Sequence, residues 1–335
     1  MNLRQVILIA FLLFVRNIVD AQVKRQRTTM LMGSKFDITI VDHDSLSAEQ
    51  DIDIVISEIS RIEELISEWK PESEISEVNR NAGICPVKVS REVFELTQRA
   101  IRYSQMTGGA FDISFAAMDK IWKFDGSMKA LPSPEAVKKS VEKVGYKNIL
   151  LDSMESTIFL KLKGMKIGFG SIGKGYAADR GKAVMLAKGI QAGIVNASGD
   201  LCAWGQQPNG KDWVIGIANP FKPDRIIKKI PLKDMAVTTS GNYERYAEID
   251  GKRYAHIINP LTGYPVTGLC SVTVIGPNAE KANAFSTAMM VLRTEAALEL
   301  IEHDVAYSCI IITDRGKVIR SKNFNLQKRR RDLTW

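Results

Sequence analysis

Residues 48–69 carry the strongest fold constraint in this chain. Ile52, Val55, Ile59, Ile62, Leu65, Ile66 and Trp69 recur at helical spacing and fall on one face. Pro71 enforces an end soon after. A helix with so continuous an apolar stripe needs another layer to cover it. Candidate layers lie on both sides of it. Residues 30–41 alternate as a strand, opening with Met32-Gly33-Ser34. Residues 72–83 read as a polar loop. Ser90 is placed to cap a helix running to about Thr107, closed by Gly108-Gly109. Ser133-Pro134-Glu135 opens another, with Gly145 beyond its last turn.

Beyond Lys147 the pattern changes. Short β-like runs occur near 148–151, 157–163, 165–169, 190–197, 212–218, 235–239, 253–258 and 269–275. Helical stretches cover 173–188 and 279–292, the second continuing across a break to Glu302. A hairpin turns at Asp314-Arg315-Gly316. Helices and antiparallel-looking strands are mixed without regular βαβ alternation. That predicts an α+β fold of mixed, largely antiparallel sheets with packed helices, rather than a doubly wound sheet.

The formal charge of +8 sits mostly at the two ends, in Lys24, Arg25 and Arg27 and in Lys328 to Arg331. The body is close to neutral, which argues against a nucleic-acid partner. Arg4, an apolar run over 6–15 and Val19-Asp20-Ala21 read as a signal peptide over 1–21, cleaved before Gln22. An uncleaved N-terminal anchor in an inner membrane is the alternative. The expectation is an exported, periplasmic protein. Residues 22–29 then read as a linker, 30–325 as one folded domain and 326–335 as a basic tail. Cys85, Cys202, Cys270 and Cys309 show no metal-type spacing, and the last three lie in apolar runs expected to bury them.

Several segments could carry chemistry. In His256-Ile257-Ile258-Asn259-Pro260-Leu261-Thr262-Gly263-Tyr264-Pro265, a histidine stands where a strand enters a turn. It can move a proton near neutral pH, or simply bond to backbone. Residues 168–175 fit the first seven positions of the nucleotide P-loop pattern, but Gly175 replaces the magnesium-binding Ser/Thr. Anion binding at a helix start, with Lys174 as the phosphate partner, survives that objection, as does a merely tight turn. Asn283 and Thr287, four apart on one helix face, could offer oxygens to a hard cation such as magnesium, or form only a polar first turn. Trp69 is either the last core residue of its stripe or a flat face for an aromatic ligand. The glycines of Thr107-Gly108-Gly109-Ala110-Phe111-Asp112 allow close backbone approach or end a helix.

In this order the segments resemble the ApbE family, the FAD:protein FMN transferases. The matching pieces are Met32-Gly33-Ser34, Ser67-Glu68-Trp69 through Ser73-Glu74-Ile75-Ser76 to Asn79, Gly109 to Asp112, Ser171 to Asp179, Ser198-Gly199-Asp200, Thr239-Ser240-Gly241, the His256 motif, and Ala282 to Ala288. The resemblance implies transfer of FMN from FAD to a threonine hydroxyl of an exported or membrane-attached redox protein, with magnesium (Mg2+) bound and AMP leaving. It implies His256 as the catalytic histidine and Trp69 beside the flavin ring. Met32, Ala110, Phe111, Asp112 and Ile258 would line the FAD site, with Lys174 near the phosphates. The Ser171 carbonyl, Asn283 and Thr287, with the Ser286 carbonyl, would hold magnesium.

Three residues depart from the family. Asn283 stands where Asp is common, Gly168 where many members have an acid that contacts FAD, and Asn259 where Asp usually follows His-Ile-Ile. The first weakens a magnesium ligand and the second removes a contact. A FAD pyrophosphatase, with water in place of the hydroxyl, and a non-catalytic flavin-binding protein remain as alternatives.

Overall fold

The computed structural model describes residues 22–242 and 246–324. The expected signal peptide and basic tail lie outside the described residues. The first strand, β1 (Val23–Leu31), pairs antiparallel with β2 (Ser34–Asp42) over its whole length. Residues 23–29 of the expected linker are therefore strand, and the folded unit starts near Val23 instead of residue 30. The expected reading failed because β1 is an edge strand. With one neighbour and an exposed outer side, it can keep Lys24, Arg25 and Arg27, and its polar pattern hides it. Arg27 pairs with Glu49 and Asp53 on the first helix. The run expected as one strand over 30–41 breaks at Met32-Gly33. Both adopt positive φ, +49° and +65°, which suits a two-residue hairpin turn.

Helix α1 (Ser45–Ile66) starts at Asp44, whose carboxylate accepts from the N–H groups of Leu46 and Ser47. It buries Ile52, Val55, Ile59, Ile62 and Ile66. It stops before Trp69, which lies outside the stripe. The expected polar loop contains α2 (Glu74–Arg80), capped by Ser73 and too short to show periodicity. Next come β3 (Val87–Lys88) and α3 (Arg91–Met106), capped by Ser90 as the sequence predicts. A 3-10 turn over Ile113–Ala117, α4 (Pro134–Ser140), β4 (Ile149–Asp152) and β5 (Thr157–Leu160) follow. No strand forms over 165–169. The Asn79 amide occupies both backbone groups of Ile167, accepting from its N–H at 2.8 Å and donating to its carbonyl at 2.9 Å.

The remainder comprises α5 (Gly173–Ala187), β6 (Ala192–Ala197), β7 (Asp200–Trp204), β8 (Trp213–Asn219), β9 (Lys222–Leu232), β10 (Met235–Gly241), β11 (Tyr246–Ile249), β12 (Lys252–Ala255), β13 (Leu269–Gly276), α6 (Ala279–Glu302), β14 (Ser308–Thr313) and β15 (Val318–Arg320). One antiparallel sheet runs β1-β2-β6-β7-β10-β13-β14-β15, with small sheets β3-β5-β4, β8-β9 and β11-β12. The fold is α+β with largely antiparallel sheets, as the sequence predicts.

Helices α1, α5 and α6 pack on one face of the long sheet. The β8–β9 hairpin covers the other through Trp213, Ile217, Ile230 and Leu232. The sheet centre is thus covered on both sides, and every residue of β13 is buried. A bulge between Leu269 and Ser271 reverses the alternation there. Leu269 joins Val272 and Val274 on the helix side, while Cys270 turns to the hairpin side. Cys202 and Cys309 are buried as expected, and Cys85 is an exposed free thiol. Among the described residues no helix is long and apolar enough to cross a membrane.

Two contacts set the frame of the site. A Cβ at Gly175 would lie 2.4 Å from the Ala279 carbonyl oxygen, so α5 and the start of α6 touch there. This close approach explains a glycine where a P-loop would carry Ser or Thr. One turn on, the Asp179 carboxylate accepts from the N–H groups of Ala279 and Glu280, both at 2.9 Å, and caps α6. Burial pushes that carboxyl up to about 6. Helix α6 breaks at Arg293, with φ +66°, inside the span where the sequence predicts a break.

Candidate functional site

The touching helix starts open onto a cleft of about 670 Å³. At its floor the chain turns sharply, with the Phe169 carbonyl accepting from the N–H groups of Ile172 and Gly173. Helix α5 begins with no side chain capping it. Gly170 and Ser171 in the turn before it, and Lys174 in its first turn, line the cleft. The N–H groups of this helix start that Phe169 does not occupy, together with a lysine, suit an anion. Facing them is Asp200 at the start of β7, a buried carboxyl pushed up to about 7 by burial. The Lys174 charge and the N–H of Thr239 oppose that shift.

A second group of oxygens comes from α6 and β10. Ser240 Oγ lies 2.9 Å from Ser286 Oγ and 3.3 Å from Thr287 Oγ1. Ser286 Oγ also donates to the Asn283 carbonyl at 3.0 Å. Asn283 is 6% exposed, and its buried Oδ1 accepts no hydrogen bond from a described residue. A buried acceptor left empty is uncommon and costs free energy unless something fills it. Asn283, Thr287 and Ser171 line the same cleft. Such neutral oxygens fit a hard cation, with the carbonyl and hydroxyl donors that magnesium takes. Ser286 does not line the cleft. It is fully buried behind it, tied to Ser240.

An adjoining pocket of about 640 Å³, the aromatic limb, is lined by Trp69, Phe115, Trp122 and Phe124 among others. The two limbs share Glu68, Phe115, Ala116, His256 and Ile258. His256 therefore stands at their junction. It directly follows β12, with the Phe124 ring edge-on at 6.5 Å between centroids. The motif behind it is closely pinned. Val266 N–H donates to the Ile257 carbonyl and Asn259 N–H to that of Tyr264, both at 2.9 Å. Trp122 Nε1 donates to the Gly263 carbonyl at 2.9 Å. Asn259 Oδ1 accepts from Leu261 N–H at 2.9 Å. An aspartate there could accept the same bond, so this departure leaves the turn intact.

Of the expected FAD-lining residues, Ala110, Phe111, Asp112, Lys174 and Ile258 line the main cleft and Trp69 lines the aromatic limb. Met32 lines neither. Its N–H donates to Glu63 Oε2 at 2.8 Å, and its side chain packs beside Gly173 at the back of α5. Asp112 has a structural task as well. Its carboxylate accepts from Ser114 N–H, Ser114 Oγ and Tyr146 N–H. Gly108 and Gly109, with φ of +59° and +86°, do end α3, and the chain leaving them forms the cleft wall. Trp69 is 74% exposed, so it is not a core residue, and the Lys120 ammonium sits 4.6 Å from its ring centroid.

Sequence reasoning gave no role to Asp200, Ser240 or Glu68, although each lies inside a motif it singled out. Trp122 and Phe124 carried no signal at all. They lie in an irregular segment and meet the site only through the fold.

The ApbE family's sequence model matches residues 32–311. The FAD:protein FMN transferase of Klebsiella pneumoniae is 30% identical over 296 residues, covering 88% of this chain and 90% of that protein. The protein of the same name from Treponema pallidum is 31% identical over 265 residues, covering 74% and 72%. Among solved structures, the ApbE protein of Thermotoga maritima superposes with a TM-score of 0.82 at 31% identity, over 91% of this chain and 99% of that one. The apo flavinyl transferase ApbE of Pseudomonas stutzeri gives 0.80 at 27% identity, over 91% and 96%.

Proposed function

This chain belongs to the ApbE family, and from that premise we propose that it moves FMN from FAD to a threonine hydroxyl of an acceptor redox protein, with AMP leaving. Its relatives bear the name FAD:protein FMN transferase, which makes it a flavin-transferring enzyme. The finer reading rests on one observation: His256 stands where an aromatic limb meets an anion-binding limb. FAD has the same two-part character, a flat ring system joined to a pyrophosphate.

In this reading Trp69 and its aromatic neighbours receive the ring. The α5 start and Lys174 receive the pyrophosphate. Asn283 Oδ1, Thr287 Oγ1 and the Ser171 carbonyl would hold magnesium, whose charge would steady the pyrophosphate and the AMP leaving group. A threonine hydroxyl is a poor nucleophile at neutral pH, so the reaction needs a base. A ring nitrogen of His256 takes the hydroxyl proton as the oxygen attacks the FMN-side phosphorus. The new P–O bond forms on the threonine, the bond to the AMP-side oxygen breaks, and AMP leaves with that electron pair. The acceptor is expected outside the cytoplasm, a proposal that rests on residues 1–21 alone.

The test is incubation with FAD, magnesium and a threonine-containing acceptor peptide. Flavin fluorescence fixed on the peptide, with AMP released, supports transfer. Free FMN with a bare peptide means hydrolysis, and intact bound FAD means a binding protein.

A further inference from the structure

Glu68 takes no part in the steps above, yet its carboxylate is the one acid that lines both limbs of the cleft among the described residues. It follows α1 in the turn that carries Trp69. It is half-buried, and burial raises its proton affinity against the pull of Lys120 and Lys166. No hydrogen bond or close ion pair joins it to a described residue; those two lysines act on it only at longer range. A partly desolvated carboxylate without donors is costly, which points to donors that arrive with a ligand.

The wall opposite is shaped for it. A Cβ built on Gly168 would lie 2.1 Å from Glu68 Oε2 and 2.8 Å from its Cδ. The backbone at 168 is not in the left-handed region, so no turn requires glycine there. What the glycine supplies is space, and Glu68 occupies that space. An acid at position 168 and the present placement of Glu68 are mutually exclusive.

We infer that Glu68 grips the flavin half of FAD, accepting hydrogen bonds from the ribityl hydroxyls or the ring N–H, and that Gly168 is small to admit it. The inference rests on the reading that the cleft takes FAD. A carboxylate repels phosphates, so it belongs with the uncharged donors beside the Trp69 ring.

Binding of FAD and of AMP, measured by calorimetry on the full protein, tests this. Glu68→Ala should weaken FAD about tenfold or more, the scale of a charge-assisted hydrogen bond, and leave AMP unchanged. Gly168→Asp alone should also weaken FAD, because it collides with Glu68. The double variant Glu68→Ala/Gly168→Asp should recover FAD affinity to within a few-fold of wild type. Glu68→Gln, of the same shape, checks that the loss does not come from misfolding and should fall between wild type and Glu68→Ala. Wild-type FAD affinity in Glu68→Ala, equal losses for FAD and AMP, or a double variant no better than Glu68→Ala would each overturn the inference alone. A wild-type protein that binds no FAD overturns the functional reading and this inference together.

Discussion

The two limbs of the cleft are built from different material. The anion limb is walled by the starts of α5 and α6 and by β10, elements locked into the main core. Its Asn283 is 6% exposed, and Ser286 behind it is fully buried. The aromatic limb is made by α2, the 3-10 turn and the irregular segments beside them; its Trp122 is buried, but its Trp69 is 74% exposed with a lysine over the ring. The difference matches the tasks. Reacting oxygens need positions fixed to fractions of an ångström, which a packed core supplies. A flat ring needs area and an adaptable cover, which surface segments supply.

Four measurements press on that contrast, the largest expected effect first. His256→Ala at the junction should lower the transfer rate about 10²–10⁴-fold while FAD binding stays near wild type, checked by single-turnover flavinylation and calorimetry. Parallel losses of both would make His256 a binding group instead of a base.

In the rigid limb, Asn283→Asp should tighten magnesium about tenfold, since it places a charged oxygen where a neutral one is buried. Without magnesium the same variant should melt lower than wild type, because the new charge is then uncompensated. Calorimetry and a thermal melt read the two halves independently. Unchanged magnesium affinity would remove Asn283 from the ligand set.

In the surface limb, Trp69→Ala should raise KM for FAD roughly three- to tenfold through lost stacking, with kcat and melting temperature nearly unchanged. A fall in melting temperature as large as that of a core substitution would erase the contrast between the limbs.

The smallest effect concerns the frame. The Asp179 carboxyl, which joins α5 to α6, has its folded pKa raised by burial from 3.8 to about 6. Between those values the unfolded chain binds fewer protons than the folded one. The group's contribution to stability is therefore full below about pH 4 and is lost as pH rises through about 6. Asp179→Asn does not titrate, so the gap between its melting profile and that of wild type should vary by roughly 2–4 °C across that window. A constant gap from pH 4 to 7 would contradict the burial argument.

Most of the regular elements were legible because their signals are local. Ser90 and Thr107 bracket α3, Asp314 to Gly316 turns the last hairpin, and the long helix breaks inside its predicted span. Three of the failures have separate causes. The polar edge strand β1 depends on a partner and not on its own pattern. The seven-residue α2 is too short for a periodic stripe. The apolar run over 165–169 loses its ladder to the distant Asn79 side chain. At the site, His256, Lys174, Asn283 and Thr287 stood out because each sits in a short motif. Met32 sat in one too, yet it turns away from the cleft.

The sequence by itself determined the α+β class, most helix ends, the family and the reactive groups on offer. Helix periods, caps and turns are set by residues within about four positions of one another, so a linear reading reaches them. Only the tertiary structure decided that Gly168 makes room for Glu68, that Ser240 meets Ser286 and Thr287, and that His256 stands where the two limbs join. Those pairings join residues many tens of positions apart. They depend on how sheet and helices stack, because packing one face against another fixes distances that no local pattern encodes.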